Sequence, residues 1–571
     1  MRINFLNHRD PETLRKSILR AFASLWSSRL LIWSAPFLFL LLFFFHPLSK
    51  ILMLAFNTTA FTRINFQLIL STLSFTFYQA TLSAILTFIL GIPSATLFAR
   101  FNFFGKPLLR ALTAVPFMLP TVVVASSFNA LLGTRGWFSF LFPLSASQTT
   151  TPPFHFLLIL LAHVFYNTTI VIRIVGNALS RLDPKLEGAA RSLGADSLRV
   201  WRHITLPLLR PSLFAAALLV FMFDFTSFGV ILLLGGSNFS TLEVEIYLRV
   251  LKLPNLPLAA LLSIIQLLFT LIFSILYTRI INQVTAQTAP RFSTSRPPKS
   301  IREKIFAASF IILLSSFFIL PLVSLPLRSI TRLAADRGQR GEVQYGLTTD
   351  YYQELFINRR GSLFYVPPMQ AAFNSLAYAG LTVLFSLGLG YPAAYALAKP
   401  TRLEKFLDPI IMLPLGASAV MLGLGFILSF GRALASPWFV PIAHTLVALP
   451  FVIRTLQPAL ASIPERLRQA AATLGASPFR VWQTVDFPIL SRATLSAATF
   501  AFTVSLGEFG ATLLLTRPEY PTIPIAIQRF LSQPGGLNYG QAMAMATLLM
   551  LLTTLAILVI EKLRLSDSGE F

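Results

Sequence analysis

The sequence predicts an all-α polytopic membrane protein, with about twelve transmembrane helices arranged as two parallel repeats of six. Three observations carry this. The first is composition: 55% of the 571 residues are hydrophobic, 12% are charged, 54 are Phe and mean hydropathy is +0.70. A water-soluble core has nowhere to place that much apolar side chain. The second is that the apolar residues fall in runs of about 20, the length a helix needs to cross the hydrocarbon layer. The third is that one polar, basic stretch lying between such runs occurs twice, 281 residues apart.

Residues 1–29 carry Arg2, Arg9, Arg15, Lys16, Arg20 and Arg29 and lack a small-residue cleavage site before a short apolar core. They read as a cytoplasmic tail and not as a signal peptide. Spans are expected over 30–56, 68–99, 111–132, 154–172, 208–234 and 258–280, which form a first repeat at 30–282. A Thr/Pro/Arg-rich linker at 283–303 follows. The second repeat, 304–563, is expected to span at 306–327, 370–398, 407–430, 437–453, 489–515 and 541–560, with a long external segment at 328–369 and a short tail at 564–571.

The net charge of +24 is informative through its placement. With the N-terminus assigned to the cytoplasm, 32 of the 46 Lys and Arg residues fall on cytoplasmic stretches. That is the positive-inside bias of a membrane protein with both termini inside. No dense basic cluster is interleaved with exposed aromatics, so nucleic acid is not a partner that this sequence calls for. There are no cysteines, hence no disulfides and no thiol chemistry.

The repeated stretch reads EGAARSLGADSLRVWRHITLPLLRP from Glu187 and RQAAATLGASPFRVWQTVDFPIL from Arg468. Ala189, Ala190, Gly194, Val200, Trp201, Ile204 and Pro207 recur as Ala470, Ala471, Gly475, Val481, Trp482, Val485 and Pro488. Pro184 opens a helix, Leu186, Ala189, Ala190 and Leu193 keep a helical period, and Gly194 supplies the left-handed residue that ends it. A second short helix runs to Ile204, and Pro207 closes the unit. A loop that only joined two spans would not keep its spacing, so each copy is expected to present a surface to a partner.

Other landmarks repeat as well. Gly91-Ile92-Pro93 matches Gly390-Tyr391-Pro392, Met118-Leu119-Pro120 matches Met412-Leu413-Pro414, and His163, Arg173 and Phe228-Gly229 match His444, Arg454 and Phe509-Gly510. Both loops follow the fourth span of their half, so the repeats are parallel, related by an axis along the membrane normal with a pathway between them. Ionisable residues inside the spans are few, and each must face protein or water. Asp224 and Glu508 are the candidates for a pathway or gate, while His163 and His444 are expected to make interhelical hydrogen bonds. No G-x-x-x-x-G-K-[ST] sequence and no zinc pattern such as H-E-x-x-H is present, so nothing marks the chain as a hydrolase and no cofactor or metal is called for.

The repeated loop resembles the EAA loop of ABC-transporter permeases: two Ala, three residues, Gly, nine residues, then a β-branched residue two places before Leu-Pro or Phe-Pro. The Glu position of that pattern is Gly188 in one copy and Gln469 in the other, and Glu187 sits one place early. The resemblance implies that each loop is a coupling helix seated in a groove of a separate ATP-binding-cassette ATPase subunit, two subunits in all. The stretch from Phe225 to Tyr247 is similar to the fused two-repeat permeases of thiamine and ferric-iron importers. Ser505 to Gly510 is similar to a pattern shared with sulfate and molybdate permeases.

The implied fold is that of a type I ABC importer permease in a bacterial inner membrane, working by alternating access on a cargo delivered by a substrate-binding protein. Thiamine or ferric iron is the favoured cargo. The alternatives are sulfate, molybdate or a polyamine, or a proton-coupled secondary transporter, which would have no use for paired coupling loops.

Overall fold

The computed structural model describes residues 32–56, 66–141, 152–236, 239–286, 295–332, 346–359, 361 and 364–565. The tail expected at 1–29, residues 287–294 of the linker, residues 333–345, 360 and 362–363 of the long segment and residues 566–571 lie outside the described residues. The first repeat contributes α1 (Ile32–Ala55), α2 (Phe66–Arg100), α3 (Lys106–Met118), α4 (Thr121–Leu132) and α5 (Phe154–Ser180). It continues with α6 (Pro184–Ser192), α7 (Ser197–Phe225), α8 (Gly229–Leu234), α9 (Leu242–Leu251) and α10 (Leu256–Ala286).

The second repeat runs through the same order: α11 (Ile301–Ser329), α12 (Gln370–Ala398), α13 (Arg402–Gly416), α14 (Ala419–Phe430), α15 (Phe439–Ser462), α16 (Glu465–Thr473), α17 (Phe479–Gly507), α18 (Gly510–Leu515), α19 (Ile523–Leu531) and α20 (Gly536–Leu565). Each of these helices of the first half thus has a counterpart ten places on, and the second half adds the short helix Asp350–Gln353. Among the described residues ten helices are long and apolar enough to cross a membrane singly, and two bent pairs raise the number to twelve.

The bent pairs depart from the expectation of one continuous third span per half. α3 and α4 meet at 111°, and the pair that begins with α13 and α14 meets at 96°. In the first half the cause is Pro120, which pushes Leu119 out of the helical region to φ −76°, ψ 145°. In the second half the break falls at Ala417 (φ −84°, ψ 137°), after Gly416 and before Ser418, whose hydroxyl accepts from Met421 N at 3.0 Å and restarts the helix.

Structural equivalence therefore runs from Pro116 to Pro414, not from Pro120 to Pro414 as the Met-Leu-Pro match suggests. Leu119 N donates to Pro116 O and Ala417 N donates to Pro414 O in the same way. The fifth spans also end earlier than expected: α7 ends at Phe225 and α17 at Gly507, each followed by a separate six-residue helix.

The first helix of each half packs in the core of the other half. Trp33, Leu40 and Phe44 of α1 share a buried cluster with Leu422, Phe426, Leu449 and Val452 of the second repeat. Leu314, Phe318 and Leu325 of α11 lie among Val124, Phe128 and Phe165 of the first. Hydrogen bonds fix the exchange, from Trp33 Nε1 to Glu404 Oε1 at 3.4 Å and from Ser324 Oγ to Ser127 O at 3.1 Å. In lipid the apolar surface of a helix gains nothing by burial alone, so such close packing and interhelical hydrogen bonds carry the association.

Candidate functional site

The two repeated loops fold alike. Asp183 caps α6 by accepting from Lys185 N at 2.9 Å, and the helix ends at Gly194, whose φ is +84°. Gly475, at φ +81°, ends α16 in the same manner. The bonds Ala195 N to Ala190 O and Ala476 N to Ala471 O, both 3.0 Å, close the helix end across the left-handed glycine. A π-helical turn follows in both copies, Trp201–Thr205 and Trp482–Asp486, the kind of irregularity that concentrates at functional sites.

Gly188 and Ala189 are exposed, as are Gln469 and Ala470, while Ala190 and Ala471 are half-buried. Ile204, Val485 and Pro207 are half-buried and Pro488 is exposed. No residue of α6 or α16 is buried. Leu193 and Leu474 stand out at 89% and 88% exposure, beside the exposed Leu198, Trp201, Phe479 and Trp482. Each copy thus presents an apolar face that the described residues leave uncovered.

Behind that face, each loop is fastened to the end of the second span by ionised groups. Glu187 Oε1 accepts from Thr205 Oγ1 at 2.9 Å and pairs with Arg100, the last residue of α2. In the other copy the position of Glu187 is Arg468 and that of Thr205 is Asp486, and the two are joined by a 2.8 Å bond from Nε to Oδ1. Lys399, at the end of α12, pairs with Glu465, and Arg468 lies 3.9 Å from the same carboxylate. The Lys399 ammonium holds the Glu465 carboxyl below its usual range. Both loops are thus linked to a cation at the end of the second span, Arg100 or Lys399, while the carboxylate–hydroxyl pair Glu187–Thr205 of one copy is replaced by the ion pair Arg468–Asp486 in the other.

Four chain breaks meet where the repeats face each other. Phe228 and Phe509, the residues just before α8 and α18, stack with ring centroids 5.5 Å apart and planes at 30°. A Cβ on Gly229 would lie 2.5 Å from Thr121 Oγ1, one on Gly507 3.3 Å from Pro120, and one on Gly510 3.0 Å from Ala419 Cβ. The breaks of the third and fifth spans are therefore in contact, and glycine is what lets them approach.

A histidine stands behind each break. His163 Nε2 lies 2.8 Å from Ser227 Oγ and its Nδ1 3.1 Å from Ser83 Oγ, with Asp224 Oδ1 at 3.6 Å. His444 Nδ1 lies 2.7 Å from Ser505 Oγ, and its Nε2 lies 2.7 Å from Thr512 Oγ1 and 3.3 Å from Glu508 Oε2. Both rings make the interhelical contacts expected of them, and each brings the carboxylate of its own half to the break. Asp224 also accepts from Asn167 Nδ2 at 2.7 Å, while Glu508 accepts from Ala511 N and Thr512 N at 2.8 and 2.9 Å and so caps α18.

Sequence reasoning missed Arg100, Lys399, Glu465, Thr205 and Asp486, although the exchanged pairs at 187/205 and 468/486 were readable at the 281-residue offset. It also passed over Glu243 and Gln266, whose side chains are buried in the bundle and joined by a 2.5 Å hydrogen bond.

The family described as "Binding-protein-dependent transport system inner membrane component" matches residues 88–285 and 386–563, once in each repeat. The thiamine transport system permease protein ThiP of Escherichia coli (strain K12) is 26% identical over 86% of this chain and 88% of its own. The protein of the same name from Brucella abortus (strain 2308) is 27% identical over 80% of this chain and 81% of its own. A probable ABC transporter permease protein of Sinorhizobium fredii, y4fN, is 25% identical over 84% and 85%. With the family matched in both repeats and relatives that align along nearly the whole chain, this multi-pass protein belongs to the binding-protein-dependent transport system inner membrane components, as a fused two-repeat ABC permease.

Proposed function

We propose that the chain is the permease subunit of an ATP-driven thiamine importer. The observation that carries this is the pair of identically built loops, each with an exposed apolar face on one side and an ionic fastening to the second span on the other. The relatives that bear the name of thiamine permeases, aligned over most of both chains, favour thiamine over the other cargoes of this family. Two ATPase subunits seat on α6 and α16 in the cytoplasm, where both termini also lie, and a substrate-binding protein delivers cargo at the opposite face.

As the ATPase subunits close, each loop moves with its fastening, through Arg100 and Glu187 on one side and Lys399, Glu465, Arg468 and Asp486 on the other. The second and fifth spans move with it, and Phe228 and Phe509 part. Glu508 holds the shape of the moving break by capping α18, and Asp224 seats the end of α7 against His163 and Asn167. The permease performs no covalent chemistry. A proton-coupled mechanism would run through the two histidine–carboxylate pairs, but it would leave the paired exposed helices without a purpose.

The test is uptake of labelled thiamine into proteoliposomes that hold the permease, with its ATPase and binding protein supplied. ATP-dependent accumulation that excess unlabelled thiamine abolishes, and that ferric iron, sulfate and molybdate leave intact, is the expected result. Accumulation without ATP, driven by an imposed proton gradient, would contradict it.

A further inference from the structure

Glu243 is a buried carboxylate of the first repeat, on α9 where that helix packs against α14 of the second repeat. It is 2% exposed on α9. Its Oε1 accepts from Gln266 Nε2 of α10 at 2.5 Å. Across the repeat boundary, the Ser418 hydroxyl at the break before α14 sits close enough to act on the same carboxylate, and Glu508 is within electrostatic reach. Yet Glu243 Oε2 and Gln266 Oε1, the latter on a side chain 1% exposed, have no hydrogen-bond partner among the described residues. Two oxygen acceptors are thus left without a hydrogen bond in a buried place, where each such group is costly.

The surroundings are aromatic. Tyr247, one helical turn beyond Glu243 on α9, packs edge-on to Phe228 with centroids 5.7 Å apart, and Phe228 stacks on Phe509, the neighbour of Glu508. The second repeat does not copy the arrangement: the position equivalent to Glu243 is Pro524. An unmatched carboxylate, an unmatched amide oxygen and the ring faces of two Phe and one Tyr together describe a site for a cation whose charge is spread over a flat or bulky organic group. Carboxylates supply the counter-charge, and π faces attract such a cation once it is desolvated. A small, hard metal ion would instead call for several oxygen or nitrogen donors at one point. No group of three or more His, Asp or Glu side chains is so placed among the described residues.

We propose that Glu243, with Gln266, Tyr247 and the parted rings of Phe228 and Phe509, forms a transient binding site for an organic cation in the translocation pathway. In the conformation described here the rings are stacked and the site is closed, and parting them exposes Glu243. The proposal rests on the reading of the chain as an importer of a cationic organic cargo, and it adds the group that recognises the charge.

The experiment uses labelled thiamine as the probe in the complete proteoliposome system, with uptake expressed per ATP hydrolysed. Glu243→Gln keeps the shape and the bond to the Gln266 side while removing the charge. It should lower uptake per ATP by 10-fold or more while binding-protein stimulation of hydrolysis stays at the wild-type level. Glu243→Asp should recover most of the loss, and Tyr247→Leu should lower the ratio 3-fold or more. Glu243→Gln with a wild-type ratio overturns the site, as does a loss matched by an equal loss of stimulated hydrolysis, which would mark a purely structural residue. If Glu243→Gln fails to reach the membrane, Glu243→Asp and Tyr247→Leu decide, and wild-type ratios in both overturn the proposal. Wild-type vesicles that hydrolyse ATP but take up no thiamine overturn the cargo reading and this inference together, an outcome visible before any variant is made.

Discussion

Phe228 and Phe509 occupy equivalent positions of the two repeats and lie against each other, ring centroids 5.5 Å apart with 30° between the planes. Each is buried, each directly precedes a short helix, and each is flanked by a glycine that another break presses against. A stacked pair of this kind contributes about 0.5–1.5 kcal/mol beyond its area. In the proposed cycle that is small enough for ATP to overcome and favours the closed contact without it.

Replacement of either ring by Leu should therefore raise ATP hydrolysis in the absence of the binding protein by roughly 2- to 10-fold, the rate equivalent of that energy. The double replacement should add little to either single one, because the pair is lost once. Measured basal hydrolysis that does not change, or that rises additively, would place the closed state elsewhere.

The ion pair of Arg468 and Asp486 behind α16 makes a charge-exchange experiment possible. Arg468 and Asp486 are both largely buried, so opening their pair costs more than the roughly 1 kcal/mol of an exposed bridge and less than the 3–5 kcal/mol of a fully buried one. Arg468→Glu should lower coupled uptake about 10-fold or more, in line with a loss above 1.4 kcal/mol. Adding Asp486→Arg should restore uptake to within about 3-fold, since the reversed pair keeps the same link. A double variant no better than the single one would show that the loop is held by something else.

Gly194 and Gly475 end α6 and α16 with φ of +84° and +81°, and among the described residues, chain neighbours aside, nothing lies within 4 Å of where a Cβ would stand. Substitution there is strained by backbone conformation alone, about 1 kcal/mol or more for a β-branched residue. Gly194→Val and Gly475→Val should insert normally yet retain several-fold less ATPase on co-purification from detergent. Full retention in both would remove these helices from the docking role.

How legible this was in the sequence depended on the cause of each feature. The left-handed glycines were readable, because a helical period that stops at Gly leaves one common way to end. The break at Pro120 was marked by its proline, but that in the second half depends on Gly416 and Ser418, neither of which forces a helix to stop, so both third spans read as straight. The Met-Leu-Pro match then misled by four residues, since chemical identity and structural position had drifted apart. The exchange of Glu187 and Thr205 for Arg468 and Asp486 hid one interaction behind two different residue pairs. Glu243 was invisible for another reason: its meaning comes from Ser418 and Glu508, which only the folding of the two repeats against each other brings near.

The orientation has its own test. The chain contains no cysteine, so Ser197→Cys on a docking loop and Gly361→Cys on the long segment supply single labels at exposed positions. An impermeant thiol reagent should reach the first only from the cytoplasmic side and the second only from outside. Labelling of both from one side would contradict the positive-inside assignment.

The central claim is that ATP binding at the docking loops opens the contact between Phe228 and Phe509. Phe228→Cys with Phe509→Cys, joined by a short bis-thiosulfonate reagent, tests it most directly in reconstituted vesicles. The reduced double variant should take up thiamine on ATP addition, the cross-linked form should bind the ATPase but take up none, and reductant should restore uptake. Cross-linking efficiency should also fall when ATP is trapped with vanadate. Uptake that continues through the cross-link, or a cross-link that forms equally well in the trapped state, would contradict the account.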